Sequence, residues 1–370
     1  MMLFTVRTKI YSGKESLEYL KTLTGKTIWI VGDPFLRDSE SLHQLLRALP
    51  QQCATSLFFN IVPDPPIPTI AAGVVELCAQ APDVVIGFGG GSAIDSAKAM
   101  IYFARKQGTG VETFIAIPTT SGTGSEVTHA SVISDPQKKI KYPLFDESLY
   151  PDIALLVPEF VASVPPGVTA NTGMDVLTHA LEAWVATGAS DFTDALAIKA
   201  VRLVLEYLPL AWQNGKDLIA REKMHNASTL AGIAFSQAGL GLNHAIAHQL
   251  GGQFHVPHGL ANALLLPHVV RFNSRAPKAR TKYAQLSREC GLADIRATNE
   301  EAVNSLISNI SHLSTRLNMA ITLTALNISI ADVMLVLDDI ADAALNDATF
   351  KTNPTSALKE DIAALIQDII

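Results

Sequence analysis

Histidine spacing is the strongest chemical signal in this sequence. Residues 242–258 contain His244, His248, His255 and His258, four of the ten histidines in the chain. On a helix, His244 and His248 share one face, and His258 follows after the glycine pair Gly251-Gly252, expected to end that helix. From Met224 to Val270 no Lys, Arg, Asp or Glu occurs. Histidines massed in an uncharged span are expected to be buried, and a buried imidazole requires a partner. An H-x-x-x-H pair with a third, more distant histidine is a usual way to hold a metal ion. The spacing resembles the zinc protease motif, but Ala245 stands where that motif needs its glutamate base.

A second pair lies upstream. Asp175 and His179 are four apart, hence on one helix face. Thr172 could equally be a helix cap with Asp175 as its capping-box partner. One carboxylate with several imidazoles suits a divalent first-row ion, Fe(II) or Zn(II), and the residues themselves do not choose between them. Such an ion would polarise a substrate oxygen as a Lewis acid. The uncharged span offers no cationic clamp for an acid or phosphate, so a small neutral alcohol or aldehyde fits. Phe145, Phe235 and Phe254 are candidate pocket walls that would serve equally as core.

Two polar loops complete the set. Gly89-Gly90-Gly91-Ser92 follows the apolar run Val84–Phe88 and opens a helix, where glycines and free N–H groups suit a phosphate. Ser92 is a candidate cap there, with Asp95 three residues on. The second loop, Thr119-Thr120-Ser121-Gly122-Thr123-Gly124-Ser125-Glu126, follows another strand. Asp33 ends the run Thr27–Val31, and an acid there favours a ribose hydroxyl over a 2′-phosphate, hence NAD over NADP. The acid comes before the glycines, the reverse of the usual dinucleotide fingerprint. The glycine turn and Asp33 are also compatible with plain turn-forming roles.

These groups need a scaffold, and the first half supplies alternating elements. Strands are expected at Thr27–Val31, Ser56–Val62, Val84–Phe88, Phe114–Ile117 and Ile153–Val157. Helices are expected at Ser39–Leu49, Thr69–Ala81 and Ala93–Gln107. Continuous apolar strands imply a mostly parallel sheet covered on both faces. After Pro165-Pro166 only helical periodicity remains, so domains of 1–165 (nucleotide-binding α/β) and 166–370 (helical, metal-binding) are expected. The tail from about Thr324 looks polar enough for surface structure.

The chain has 370 residues, 48% hydrophobic and 17% charged, with a net charge of −7. That suits a globular protein too long for one small core. Three scattered cysteines argue against a disulfide framework. No run reaches the roughly 18 apolar residues of a membrane helix, and no basic tract suggests nucleic acid. No signal-peptide pattern opens the chain, so cytoplasmic residence is expected.

Taken together and in order, the motifs resemble a known family. They are Gly89-Gly90-Gly91-Ser92-x-x-Asp95-x-x-Lys98, Pro118 through Glu126, Gly173-Met174-Asp175-x-x-x-His179-Ala180-x-Glu182, His244-x-x-x-His248 and Pro257-His258-Gly259-x-Ala261-Asn262. The sequence is similar to the iron-dependent (group III) alcohol dehydrogenases over nearly its whole length. Within them it most resembles the propanol dehydrogenases of bacterial propanediol-utilisation microcompartments, with ethanol and lactaldehyde oxidoreductases as near relatives.

The resemblance implies a Rossmann-like α/β N-terminal domain and an all-α C-terminal domain, the dehydroquinate synthase-like architecture, with the active site in the cleft between. It implies metal ligands at Asp175, His179, His244 and His258, and a proton relay at His248. For NAD it implies Asp33 at the adenosine ribose and Gly89, Gly90, Gly91 and Ser92 at the pyrophosphate. Thr119, Thr120 and Ser125 would lie along the nucleotide, and Lys141 near the ribose. Asp64-Pro65 replaces the family's frequent Asn-Pro, and Thr352-Asn353-Pro354 lacks an arginine that often follows. The implied reaction is reversible NAD-linked hydride transfer between a small primary alcohol and its aldehyde, with Fe(II) or Zn(II). A homodimer or larger homo-oligomer and contact with microcompartment shell proteins are implied as well. The main alternative on this architecture is a dehydroquinate-synthase-like lyase, which must grip an anionic substrate.

Overall fold

The structure is a computed structural model that describes residues 3–135 and 140–370; the side chains of residues 140 and 141 lie outside that description. Contacts divide the chain into two compact units: residues up to Val164 with 215–232, and Pro165–Asn214 with 233–370.

The first unit is built on six parallel strands. They are β1 (Lys9–Ser12), β2 (Thr27–Gly32), β3 (Ala54–Phe58), β4 (Val84–Gly89), β5 (Thr113–Pro118) and, after the antiparallel pair β6 (Ala130–Asp135) and β7 (Ile140–Phe145), β8 (Ile153–Leu156). Their order across the sheet is β1-β8-β5-β4-β2-β3, every pairing parallel. Helices α1 (Glu40–Ala48), α2 (Ile67–Gln80) and α3 (Gly91–Lys106) connect them.

Period-2 alternation explains why these strands lie buried on both sides. Trp29, Val31, Val85, Phe114 and Ala116 face one cluster with Ala97 and Met100 of α3. Ile28, Ile30, Ile86, Phe88, Ile115 and Ile117 face the other, with Leu42 and Leu45 of α1. The chain leaves β2 outward to β3, then returns to β4 on its opposite edge. That reversal puts the carboxyl ends of β2 and β4 at the switch point of an open α/β sheet, where ligands bind.

All five expected strands and three expected helices are present, with shifted ends. The strand expected at Ser56–Val62 runs Ala54–Phe58. The hairpin of β6 and β7 went unforeseen, because its short alternation is interrupted by Ser, Asp and Lys. Ser92 does not cap α3: Gly90 is the N-cap residue, and Asp95 turns instead to Ser125 and Val132.

The second unit is all-helical: α4 (Pro166–Val185), α5 (Asp191–Gln213), the end of α6 (Leu218–Ala238), α7 (Leu242–Phe254), α8 (His258–Asn273), α9 (Pro277–Glu289), α10 (Asn299–Arg316), α11 (Ile330–Leu345) and α12 (Lys359–Gln367). Residues 215–232 group with the first unit because polar side chains tie them there. Asn226 accepts from Ser12 at 2.6 Å, Thr229 donates to Glu126 at 2.6 Å, and Arg221 donates to the Val164 carbonyl at 2.9 Å.

Three local readings change. Pro166 starts α4 well before Thr172, whose hydroxyl bonds the Val168 carbonyl in mid-helix, so Asp175 is no capping-box partner. Gly251-Gly252 does not end α7; the helix continues to Phe254 and stops at His255, left-handed at φ 55°. The tail is not mere surface, since Leu337, Ile340, Ile362 and Ile366 join the core beneath α7 and α8. Their helical spacing supplied one apolar stripe each, which the polar average concealed.

Candidate metal centre

Asp175 and His179 lie on α4, His244 on α7, and His258 opens α8. Their donor atoms all fall within 4.8 Å of one another. Asp175 Oδ1 lies 4.0 Å from His179 Nε2, 3.6 Å from His244 Nε2 and 3.4 Å from His258 Nε2. These are too long for hydrogen bonds. They approach the roughly 3.3 Å between donors that each bind one ion tetrahedrally at about 2.0–2.1 Å. Asp175, His179 and His244 are buried, and His258 is the exposed member. One carboxylate and three imidazoles are therefore a donor set and spacing that fit a divalent first-row cation.

The local field supports that fit. Burial alone would push the Asp175 carboxyl up, but the His179, His258 and His244 rings around it hold it well below the ordinary carboxylate range. Burial would lower His244, yet Glu182 and Asp175 outweigh it and raise its pKa to about 9. Two buried carboxylates thus draw positive charge into the cluster, and protons and a cation compete for the same lone pairs.

A set of hydrogen bonds aims these donors. Glu182, seven residues after Asp175 on α4, accepts from His244 Nδ1 at 2.5 Å and from the Asn243 backbone N–H at 2.7 Å. A carboxylate only accepts, so Nδ1 carries a proton, and Nε2 is the nitrogen turned toward the site, where a proton or a cation can hold its lone pair. The Asn262 amide donates to Asp175 Oδ1 at 2.7 Å, and its own oxygen accepts from Asn243 Nδ2 at 2.9 Å. Asn353 accepts from the Leu242 backbone N–H at 3.0 Å and so fixes the start of α7. A side chain at Gly241 would collide with Asn353 and Glu182. Phe235 stacks on His179, ring centroids 4.5 Å apart. Phe254 packs against the core under α7, and Phe145, in the first unit, is largely exposed beside His129. His255 ends α7, and His268 pairs with Asp368 at 3.3 Å.

In the first unit, the carboxyl ends of β2, β4 and β5 bring the expected nucleotide residues together. Asp33 Oδ2 accepts from the Gly90 N–H at 2.9 Å, leaving Oδ1 for another donor. Burial pushes the Asp33 carboxyl up, against the Gly90 bond. Gly89 adopts φ 155°, and a side chain there would strike Asp33 and Ala93. The Thr119 hydroxyl is buried with no hydrogen-bond partner among the described residues, and Thr120 lies against Gly90. Ser125 differs: its hydroxyl donates to Asp95 at 2.5 Å, so that proton is already used inside the protein. Ser92 lies in the first turn of α3. The Lys141 side chain lies outside the described residues.

In the sequence, Lys98, Glu182 and Asn262 figure only as motif letters, and Asp95 also as a capping partner for Ser92. The structure shows their contacts: Lys98 donates to the Thr128 carbonyl and hydroxyl and to the Ala130 carbonyl, at 2.9, 3.0 and 2.9 Å. Asn243 and Asp347 carry no role in the sequence, and Asn353 only a place in a family segment, because lone amides and acids carry no spacing signal.

A parallel sheet with polar loops at its switch point, and a helical unit with one Asp and three His converging, suit an enzyme that joins a nucleotide to a metal ion. The sequence model described as iron-containing alcohol dehydrogenase matches residues 7–158, and that of the Fe-containing alcohol dehydrogenase family, C-terminal, matches 169–370. The chain belongs to the iron-containing alcohol dehydrogenase family and is an oxidoreductase acting on alcohols. It is 55% identical to the 1-propanol dehydrogenase PduQ of Salmonella typhimurium, over 100% of both chains. A 1,3-propanediol oxidoreductase structure superposes with a TM-score of 0.93 at 31% identity, covering 100% of both chains. The sulfoacetaldehyde reductase of Bifidobacterium kashiwanohense, solved with NAD+, gives a TM-score of 0.88 at 28% identity, covering 100% of this chain and 98% of that one. No helix among the described residues is long and apolar enough to cross a membrane.

Proposed function

We propose that the chain catalyses reversible hydride transfer between a small primary alcohol, of propanol size, and NAD, yielding the aldehyde and NADH. The observation that carries this reading is the convergence of Asp175, His179, His244 and His258 on one point. These four residues would hold Fe(II), and the same donors would accept Zn(II). When bound, the ion supplies Lewis acidity toward the alcohol oxygen. Full-length similarity to a 1-propanol dehydrogenase supports the substrate size, and the absence of charged residues from Met224 to Val270 supports a neutral substrate.

The remaining chemistry belongs to this chain's own side chains. His248 takes the alcohol proton and passes it toward solvent. Asp33 binds the adenosine ribose hydroxyl, while Gly89, Gly90, Gly91 and Ser92 present backbone N–H groups to the pyrophosphate. Thr119 and Thr120 line the nucleotide with Ser125, which has only lone pairs left to offer, and the family resemblance assigns Lys141 to the ribose. A homo-oligomer, resident in the cytoplasm and enclosed there in a propanediol-utilisation microcompartment with its shell proteins, follows from the subtype resemblance.

The test is anaerobic NADH formation from ethanol, 1-propanol and 1-butanol, using protein depleted of metal and reloaded with Fe(II) or Zn(II). His244→Ala should lose both metal retention and turnover. Full turnover by the metal-depleted enzyme, or by His244→Ala, overturns the reading.

A further inference from the structure

The geometry points to Asp347 as the residue that orients His248 and decides which of its two ring nitrogens is the base. The inference rests on the relay reading of His248, which says nothing about what sets that ring.

Asp347 stands just before the short turn Ala348–Thr352 and caps it. Its Oδ1 accepts from the Thr349 backbone N–H at 2.9 Å and from the Thr349 hydroxyl at 2.7 Å. Its Oδ2 lies 2.9 Å from His248 Nδ1. Both carboxylate oxygens are therefore engaged, and the group cannot swing without breaking its cap. The His248 ring is held from its faces as well. It stacks on His258 with ring centroids 5.6 Å apart and an interplanar angle of 17°, and meets the His244 ring at 6.0 Å.

An ionised carboxylate has lone pairs and no proton, so the 2.9 Å contact requires hydrogen on Nδ1. The lone pair is then on Nε2, which has no hydrogen-bond partner among the described residues. A base nitrogen is thus left open on a ring that already lies against two residues of the metal cluster. The arrangement repeats, without a serine, the acid–histidine logic of hydrolase triads, where the acid sets tautomer and orientation and is not itself protonated. In alcohol oxidation, the O–H bond breaks with its proton going to Nε2. The carbon gives up hydride to oxidised nicotinamide, so alcohol becomes aldehyde and NAD becomes NADH, and the proton leaves to solvent from His248.

Asp347→Asn tests this, because asparagine keeps an oxygen for the Thr349 cap but turns an NH2 toward Nδ1. That donor forces hydrogen onto Nε2 and removes the base. We expect kcat with 1-propanol to fall about 10²-fold or more. KM for propanol, metal content and Tm should stay within about twofold or a few degrees of wild type. The deciding readout is spectroscopic: in ¹⁵N-histidine-labelled, Zn(II)-loaded protein, the His248 nitrogen shifts should exchange between wild type and D347N. Asp347→Glu should restore part of kcat and the original tautomer. An unchanged tautomer in D347N overturns the inference whatever the activity. Full activity in His248→Ala would instead remove the relay reading, a separate outcome in a separate protein.

Discussion

His244 Nδ1 lies 2.5 Å from Glu182 Oε2, and both side chains are almost wholly buried. The pair joins α4 to α7 and locks one imidazole so that Nε2 faces Asp175. Glu182→Gln keeps an acceptor but removes the charge that makes His244 a stronger donor. Outer-shell partners of this kind are worth roughly 10–100-fold in metal affinity. We expect E182Q to bind Co(II) about that much more weakly, as read by the d–d absorption in a titration, with an unchanged far-ultraviolet spectrum. Wild-type Co(II) affinity would remove Glu182 from this role.

How much of this was legible beforehand depended on the kind of signal. Trp29, Ile30 and Val31 announced a two-sided strand, because a continuous apolar run has few other uses in a parallel sheet. His244 and His258 stood out against an uncharged background. Asp175 did not, since Thr172 three residues earlier imitates a capping box; only the early start of α4 at Pro166 settles that. The contacts of Asn243, Asn262 and Asn353 were not legible, because these amides act through partners as far as 19 to 111 positions away. Lys98 read as a family letter, although its meaning lies in carbonyls 30 and 32 positions on.

Asp33 joins an observed contact to a proposed role, and one substitution removes both. Its Oδ2 holds the Gly90 N–H, while in the proposed ribose role its charge would oppose a 2′-phosphate. Asp33→Gly should raise KM for NAD about 5–10-fold, as loss of roughly one hydrogen bond predicts. It should also shift the ratio of kcat/KM for NADP over NAD in favour of NADP. Steady-state rates with both cofactors measure this; an unchanged ratio takes Asp33 out of the ribose site.

Gly259 immediately follows His258, and a Cβ there would run into the backbone carbonyl of Asn171 on α4. Backbone yields less readily than a side-chain tip, so α8 must shift away from α4. Gly259→Ala should therefore cost about 1–3 kcal/mol of stability. It should also carry His258 away from Asp175, reducing metal content together with Tm. Calorimetry and metal analysis on one preparation check this, and a variant with full metal content would show that α8 adapts locally.

Lys98, in the first unit, gives a pH dependence of its own. Burial lowers its ammonium to about 8 from 10.5, despite the nearby Asp95 and Glu126 carboxylates. Between pH 8 and 10.5 the unfolded chain therefore binds more protons at this site than the folded chain. Stability contributed by the site must then rise with pH across that window, because the cost of burying a charge is progressively lifted. In Lys98→Met the charge is gone, and with it that slope. The Thr128 and Ala130 carbonyls also lose their donor, a cost that does not depend on pH. Relative to K98M, the wild-type protein should gain on the order of 2 kcal/mol from pH 8 to pH 10. Urea unfolding of both proteins across that range measures it. Parallel curves would mean that Lys98 keeps an ordinary ammonium, charged throughout and fully compensated by its three acceptors and two neighbouring acids.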